Sequence, residues 1–173
     1  MRHIYFCLLA SLTLFSSCSR EEENLYTGNE VTYQLYQSSD YPYEGKAEIK
    51  ELKSGDLEIL LRLNGPTSKE AYHFTSHFHF GSFNEAGAHV AYLLNPVDIS
   101  TLESRTVLGK LSDGTSLDFS AFRNFDGHIK VHLADDGPDY NVILVAGNIG
   151  SNDNSISGFN RANISACSPY YPE

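Results

Sequence analysis

Apolar and polar residues alternate along most of the chain between residues 31 and 150. Gly, Asn, Asp or Pro interrupts the alternation roughly every eight to twelve residues, which is typical of short strands joined by turns. Successive side chains of a strand point to opposite faces, so a period of two predicts strands with one buried face. We therefore predict an all-β domain over residues 31–150, a Greek-key β-sandwich of about seven to nine antiparallel strands.

The turn signals divide this domain into nine predicted strands. These are, in chain order, residues 31–37, 46–53, 57–63, 72–80, 88–94, 105–111, 116–122, 128–134 and 140–146. Asn95-Pro96 is predicted to stop the fifth strand, and the alternation is weakest in the sixth and seventh. Residues 151–173 are rich in Asn and Ser and are predicted to form an irregular tail, which Ile156 and Phe159 could dock on the domain.

The chain begins with a short apolar run, residues 4–17, that follows Arg2. The run is too short to span a bilayer stably and is typical of a secretory signal. Cys18 directly after two serines resembles the lipobox of bacterial lipoproteins, although Phe15 stands where that family usually has Leu. The resemblance implies a signal peptide over residues 1–17 and lipid attachment at Cys18. The alternative is a secreted protein with an incidental cysteine.

Residues 18–30 are predicted to form a flexible tether, because the charged stretch 19–24 has too few apolar residues to fold. This stretch resembles the short acidic export tag of lipoproteins on the outer face of some Gram-negative cells. The resemblance implies an outer membrane lipoprotein that is exposed at the surface, with the lipid as its membrane contact. A solvated spacer on a periplasm-facing lipoprotein is the alternative.

The charge of the chain argues against a nucleic-acid-binding protein, and its cysteine content argues against a fold held together by a disulfide. Without residues 1–17 the chain keeps 11 Lys and Arg against 22 Asp and Glu, so it lacks the basic footprint that nucleic acid requires. Cys7 leaves with the signal and Cys18 would carry lipid, so Cys167 has no partner for a disulfide. Cys167 is interpreted as an incidental thiol in a polar tail.

Histidines are the residues that indicate chemistry. His77 and His79 form an H-x-H pair, and residues two apart on a strand point the same way, roughly 6.6 Å apart along it. His132, at the end of a second strand, is the predicted third ligand, with His89 or His128 as the fourth. An imidazole-rich set favours copper or zinc over magnesium or calcium. The alternative is a solvated strand face whose histidines bind nothing.

Three segments carry a family resemblance: S-H-F-H-F-G at 76–81, G-A-H-V-A-Y-L at 87–93 and D-G-H-I-K-V-H at 126–132. They resemble the CHRD (chordin) domain and, more distantly, copper/zinc superoxide dismutase, which implies an immunoglobulin-like or superoxide dismutase-like sandwich. The dismutase resemblance implies that His77 and His79 bind copper and that His89 is a bridging or zinc-side ligand. Ala146 and Gly147 stand where that family has a late histidine, which argues against efficient dismutation.

Other enzyme classes lack their motifs, since the chain has no glycine-rich phosphate loop, G-x-S-x-G elbow or H-E-x-x-H helix. We therefore predict an envelope-anchored lipoprotein that acts as a binding module and coordinates copper or zinc without catalytic turnover. One alternative is a superoxide dismutase-like or copper-handling metalloenzyme, and another is a structural or adhesive accessory lipoprotein. No motif identifies its protein or glycan partner.

Overall fold

Eight antiparallel strands form the barrel in the computed structural model, which describes residues 25–167. They are β1 (Tyr26–Gln37), β2 (Glu44–Leu52), β3 (Leu57–Asn64), β4 (His73–Phe80), β5 (Val90–Asp98), β6 (Glu103–Leu108), β7 (Asp126–His132) and β8 (Ile143–Gly150). The described helices are short: α1 (Phe119–Arg123) and two 3-10 turns, Pro138–Asn141 and Arg161–Asn163. The all-β prediction is confirmed.

The sheet closes on itself, so the fold is a barrel rather than an open sandwich. The strands follow the order β1-β2-β3-β6-β5-β4-β7-β8, and Tyr36 and Gln37 of β1 pair with Ala146 and Val145 of β8. The prediction of a Greek-key sandwich is therefore confirmed only as an antiparallel all-β fold.

Two connections, β3 to β4 and β6 to β7, join strands that are not neighbours in the barrel. The second connection brings β7 back to lie beside β4, with His77 opposite Lys130 and His79 opposite His128. Two histidine-bearing strands that are about fifty residues apart in the chain thus share one surface of the sheet.

The barrel interior takes alternate side chains from each strand. Leu57, Ile59, Leu61 and Leu63 of β3 belong to the buried core, as the alternation predicted. The same core includes Phe74 and Phe78 of β4 and Ile129 and Val131 of β7. Because these residues point inward, their neighbours on β4 and β7, including the histidines, point to the outer face of the barrel.

The predicted strand over residues 116–122 is wrong, because this part of the chain forms helix α1. The Asp118 carboxylate accepts a hydrogen bond from the backbone N–H of Ala121 at 2.7 Å and caps the helix. An aspartate at this position satisfies an amide that the first turn leaves free, and this local preference outweighs weak alternation. Phe122 of α1 is fully buried.

Several predicted strand boundaries are also wrong. Strand β1 begins at Tyr26 and pairs with β2 from there, so residues 26–30, which were predicted as part of the tether, belong to the barrel. Strand β5 continues through Pro96 to Asp98, because the register with β4 shifts between Ser76 and Phe74 and leaves Asn95 and Pro96 in a bulge. A bulge is one of the few places where a sheet tolerates proline. Strand β8 begins at Ile143 rather than at residue 140, because residues 138–141 form a 3-10 turn with proline in its first turn.

The chain after β8 crosses the outside of the barrel. Asn154 accepts a hydrogen bond from the Gln34 backbone N–H at 2.8 Å and donates one to the Gln34 carbonyl at 3.0 Å. The Phe159 ring packs against Tyr36 with ring centroids 4.8 Å apart, whereas Ile156 is exposed. Of the two predicted docking residues, only Phe159 packs on the domain.

The predicted signal peptide, Cys18 and residues 19–24 of the tether lie outside the described residues, as do residues 168–173. Within residues 25–167, no helix has the length and apolar character needed to cross a membrane.

Candidate metal site

Three histidines from two strands meet on the outer face of the barrel. One ligand nitrogen from each of His77, His79 and His132 can be chosen so that all three lie within 4.8 Å of one another. The ring of His77 is 5.7 Å from that of His79 and 5.1 Å from that of His132, measured between centroids. The predicted meeting of the H-x-H pair with His132 is confirmed, and these three side chains could hold a metal ion.

The three rings are buried, although they point away from the barrel interior. Their exposed fractions are 3% for His77, 1% for His79 and 0% for His132. Backbone carbonyls of segments that connect the strands approach these rings: that of Ala88 lies against His79 and that of Tyr140 against His132. The alternative interpretation of these histidines as a solvated strand face is therefore wrong.

The hydrogen bonds of the rings leave defined nitrogens free for a ligand. His132 Nδ1 lies 2.7 Å from the Tyr140 carbonyl and His79 Nδ1 lies 3.2 Å from the Ala88 carbonyl. A carbonyl only accepts hydrogen bonds, so Nδ1 carries the proton in both rings and each Nε2 keeps its lone pair. Second bonds of this kind fix the tautomer and orientation of metal-binding histidines in proteins.

Several buried ring nitrogens have no hydrogen-bond partner among residues 25–167. They are His77 Nδ1, His128 Nε2 and His132 Nε2. An unsatisfied buried polar atom costs about 1–3 kcal/mol, so a fold retains such atoms only where something compensates for them. A metal ion held by His77 and His132 would satisfy two of the three.

His128 is adjacent to the three-histidine group but is not a member of it. Its ring stacks on that of His79 with centroids 4.7 Å apart and planes 4° apart, and its Nδ1 donates to the Gly81 carbonyl at 2.7 Å. Gly81 has a φ of +69°, in the left-handed region that favours glycine, as the chain turns out of β4. This turn directs the carbonyl towards the ring.

The other two histidines of the domain lie elsewhere. His89 is exposed beside a surface hollow that Ser112 and Asp113 also line, and it is not in the three-histidine group. His73 is exposed at the start of β4. The structure thus brings together three of the four predicted ligands, His77, His79 and His132, and places His89 outside their group.

The buried rings are neutral at physiological pH. Burial is the main reason that the pKa is lowered to about 3 for His77, His79 and His128 and to about 4 for His132, and the nearby Lys130 charge contributes to all four of these values. Lys130 itself is only 1% exposed, and its ammonium donates to the Ser165 carbonyl at 2.8 Å. Burial also lowers the pKa of Lys130. Neutral imidazole is the form that binds metal ions.

Cys167 is the residue at this site that the sequence interpretation missed. Its side chain is buried, and its Sγ lies 3.6 Å from His79 Nε2, 88 residues away in the chain. Burial raises the pKa of the thiol above its ordinary value, although the neighbouring Lys130 charge opposes this. No spacing rule links a tail cysteine to an H-x-H pair, so the thiol's position depends on how the tail folds over the barrel.

Comparison with protein-family models, with characterised proteins and with solved structures finds no match for this chain. The resemblance to CHRD domains and to copper/zinc superoxide dismutase therefore stays a prediction. What the geometry defines is a class of site: three buried histidines on the outer face of a closed antiparallel barrel, with a thiol beside them.

Proposed function

We propose that this protein is a binding module of the cell envelope that coordinates copper or zinc through His77, His79 and His132, without catalytic turnover. One observation carries the proposal: nitrogens of the three rings lie within 4.8 Å of one another, and two of these rings hold buried nitrogens with no hydrogen-bond partner among residues 25–167. Imidazole ligands suit copper and zinc better than the hard cations magnesium and calcium.

The burial of the site favours binding over turnover. The three proposed ligands are each at most 3% exposed, so a substrate has little access to an ion held between them. Catalytic metal sites keep a coordination position open to water or substrate, whereas structural sites are closed.

The finer fold assignment supports the same class of protein. We propose that the barrel is a Greek-key barrel of the superoxide dismutase-like type, since β4, β5 and β6 are consecutive neighbours and β7 returns to lie beside β4. The predicted H-x-H pair and His132 occupy these same two strands, β4 and β7.

For localisation, we propose an outer membrane lipoprotein attached through Cys18 and exposed at the cell surface. Labelling of cells with a palmitate analogue should tag the wild-type protein but not the Cys18→Ala variant. Protease added to intact cells should then degrade the protein. Degradation only after the outer membrane is permeabilised would instead show a periplasm-facing lipoprotein.

Metal titration of the purified protein tests the binding proposal. Cu(I), Cu(II) and Zn(II) are added separately, and affinity is measured by competition with a chromophoric chelator. We expect His77→Ala and His132→Ala to weaken binding of the preferred ion at least about 100-fold, more than loss of an outer-shell partner usually does. His73→Ala and His89→Ala replace exposed histidines and should leave the affinity within about threefold, because neither ring is in the group of three.

A superoxide assay of the metal-loaded protein separates the alternatives. Binding without turnover supports the proposal. Turnover that His77→Ala abolishes would contradict the non-catalytic part and indicate a superoxide dismutase-like enzyme. No binding of any of the three ions would overturn the metal function and leave a structural or adhesive accessory lipoprotein.

A further inference from the structure

The described C-terminal segment holds the Cys167 thiol against the three-histidine group by several hydrogen bonds. The backbone N–H of Ser165 donates to the Phe83 carbonyl at 3.1 Å, and its hydroxyl donates to the Asn84 carbonyl at 2.9 Å. The Ser165 carbonyl in turn accepts from the buried Lys130 ammonium at 2.8 Å. Two residues later, Cys167 Sγ lies 3.6 Å from His79 Nε2.

The thiol lies beside a histidine group in which some ring nitrogens have no hydrogen-bond partner among the described residues. His79 Nε2 contacts Cys167, whereas His77 Nδ1 and His132 Nε2 are buried without any hydrogen-bond partner among residues 25–167. The rings of His77 and His132 are 97% or more buried, and both belong to the three-histidine group that includes His79. Nitrogen and sulfur atoms bound to one ion at about 2.0 and 2.3 Å lie about 3.5 Å apart in a tetrahedral site, similar to the 3.6 Å between His79 Nε2 and Cys167 Sγ.

From this arrangement we infer that Cys167 supplies a fourth ligand, a thiolate, and that the resulting three-histidine, one-cysteine site is selective for monovalent copper. This inference rests on the proposed metal site and goes beyond it by naming the sulfur ligand and the ion. Cys167 does not belong to the group whose ligand atoms converge, so the inference requires the thiol to release its proton to solvent and to move towards the ion on binding.

Charge and softness both point to Cu(I). Lys130 sits directly opposite His77 across the β4–β7 pair and is 1% exposed, so its ammonium acts on the site at low dielectric. A bound ion adds positive charge beside this ammonium. The electrostatic cost is smallest when the ion is monovalent, and a thiolate ligand offsets part of it. Thiolate is also a soft ligand that prefers Cu(I) among the biological alternatives.

The test uses the full chain with Cys7→Ser and Cys18→Ser, so that Cys167 is its one thiol. Cu(I) affinity is measured anaerobically with a chromophoric chelator, and X-ray absorption at the copper edge counts sulfur neighbours. We expect one sulfur at about 2.3 Å in this background and none in the Cys167→Ser variant. We also expect Cys167→Ser to weaken Cu(I) binding at least about 100-fold.

Three variants separate the inference from the proposed function. If Cys167→Ser keeps full Cu(I) affinity while His77→Ala loses it, the sulfur ligand is refuted and the three-histidine site stands. If neither variant changes binding, both proposals fail. If His128→Ala removes a ligand while Cys167→Ser does not, His128 is the fourth ligand and the inference is overturned.

Zn(II) selectivity tests the choice of ion. We expect Lys130→Met to raise Zn(II) affinity about tenfold more than Cu(I) affinity, because removal of a buried positive charge favours the divalent ion. Tighter Zn(II) than Cu(I) binding by the unmodified site would refute the assignment to monovalent copper. Thermal unfolding of each metal-free variant shows whether it remains folded.

Discussion

Two regions on the outside of the same barrel differ in how far solvent reaches them. The ion-pair face, on β2, β3 and β6, consists of Lys46, Glu48, Glu58, Arg62, Glu103 and Arg105. The histidine face, on β4 and β7, consists of His77, His79, His128, Lys130 and His132. Both arise from the same strand alternation. On the ion-pair face the basic residues and Glu103 keep 34–45% of their side chains exposed while Glu48 and Glu58 keep 11–12%, whereas all five residues of the histidine face are at most 3% exposed.

The difference comes from what lies over each face. Residues of the connecting segments 81–89 and 138–141 and of the tail place carbonyls on the histidine face. The charged groups of the ion-pair face pair with one another instead, as in the contact of Arg62 Nε with Glu103 at 2.9 Å. Strand alternation therefore sets which side chains point outward. Segments that are distant in the chain determine whether that outward side is exposed to solvent.

Acid should affect the histidine face first and most. The four buried imidazoles have folded-state pKa values of about 3 to 4, below the ordinary value of 6.5 that they regain on unfolding. The unfolded chain binds more protons than the folded one between these limits, so stability is full above about pH 6.5 and falls as the pH decreases. Each group contributes up to about 1.4 kcal/mol per pH unit, and we expect the metal-free protein to lose about 5 kcal/mol or more by pH 5.

Urea unfolding at a series of pH values measures this loss. Burial raises the pKa of Glu48, but its hydrogen bonds with Lys46 and Arg62 outweigh this effect, and its pKa is lowered from 4.5. The ion-pair face therefore weakens only as the pH falls below about 4.5, which separates the two regions. A free energy of unfolding that stays constant from pH 7 to pH 5 would show that the imidazoles are not buried in neutral form.

Metal binding should restore part of the free energy of unfolding that the protein loses in acid. An ion that binds only the folded state at 1,000 times its dissociation constant adds about 4 kcal/mol to the free energy of unfolding. We expect Cu(I) to raise the thermal midpoint of the wild-type protein and to stabilise His132→Ala by at most about a third as much, since a site weakened 100-fold is then only about 10 times above its dissociation constant. The matched control is Arg105→Ala on the ion-pair face, which should respond to Cu(I) as the wild type does. An equal rise for His132→Ala would place the bound ion somewhere else.

Replacing the buried lysine by an apolar side chain of similar length should change the free energy of unfolding moderately. Lys130→Met removes a buried ammonium and one hydrogen bond to the Ser165 carbonyl. Substitution of well-packed apolar groups for buried charges is often neutral or stabilising, so we expect a change of about 0 to 2 kcal/mol in favour of folding at pH 7. The loss of this positive charge also raises the folded-state pKa of the histidines, so acid unfolding should begin at lower pH. Proton NMR titration of the imidazoles provides the check.

Part of this arrangement was predictable from the sequence, because strand alternation sets which side of a strand each residue occupies. It predicts the inner stripe of β3 and places His77 and His79 on one side of β4, whereas the contact with His132 also requires β7 to return beside β4. The closure of the sheet depends instead on the short pairing of β1 with β8, which leaves no local signal. Helix α1 did leave one, since Asp118 is a favourable helix cap at the start of a weakly alternating stretch.

Burial of the histidine face could not be predicted from the sequence for a physical reason. The alternation in β4 is the same whether its outer side is solvated or covered, and the covering groups come from residues far away in the chain. Cys167 reaches His79 only because Ser165 is fixed to segment 81–89 and to Lys130. Contacts of this kind depend on tertiary folding rather than on spacing.

The smallest change in the free energy of unfolding is expected on the ion-pair face, where Arg62→Met is the counterpart of Lys130→Met. Arg62 bonds to both Glu48 and Glu103, but its side chain is 34% exposed, and exposed ion pairs contribute less than about 1 kcal/mol. Lys46 still contacts Glu48 at 2.6 Å after the change, so no carboxylate is left buried and unpaired. Urea unfolding in low and high salt should show a loss below about 1 kcal/mol that shrinks as salt screens the pair. A loss as large as that from acid on the histidine face would mean that the ion-pair face is covered as well, and the contrast between the two regions would fail.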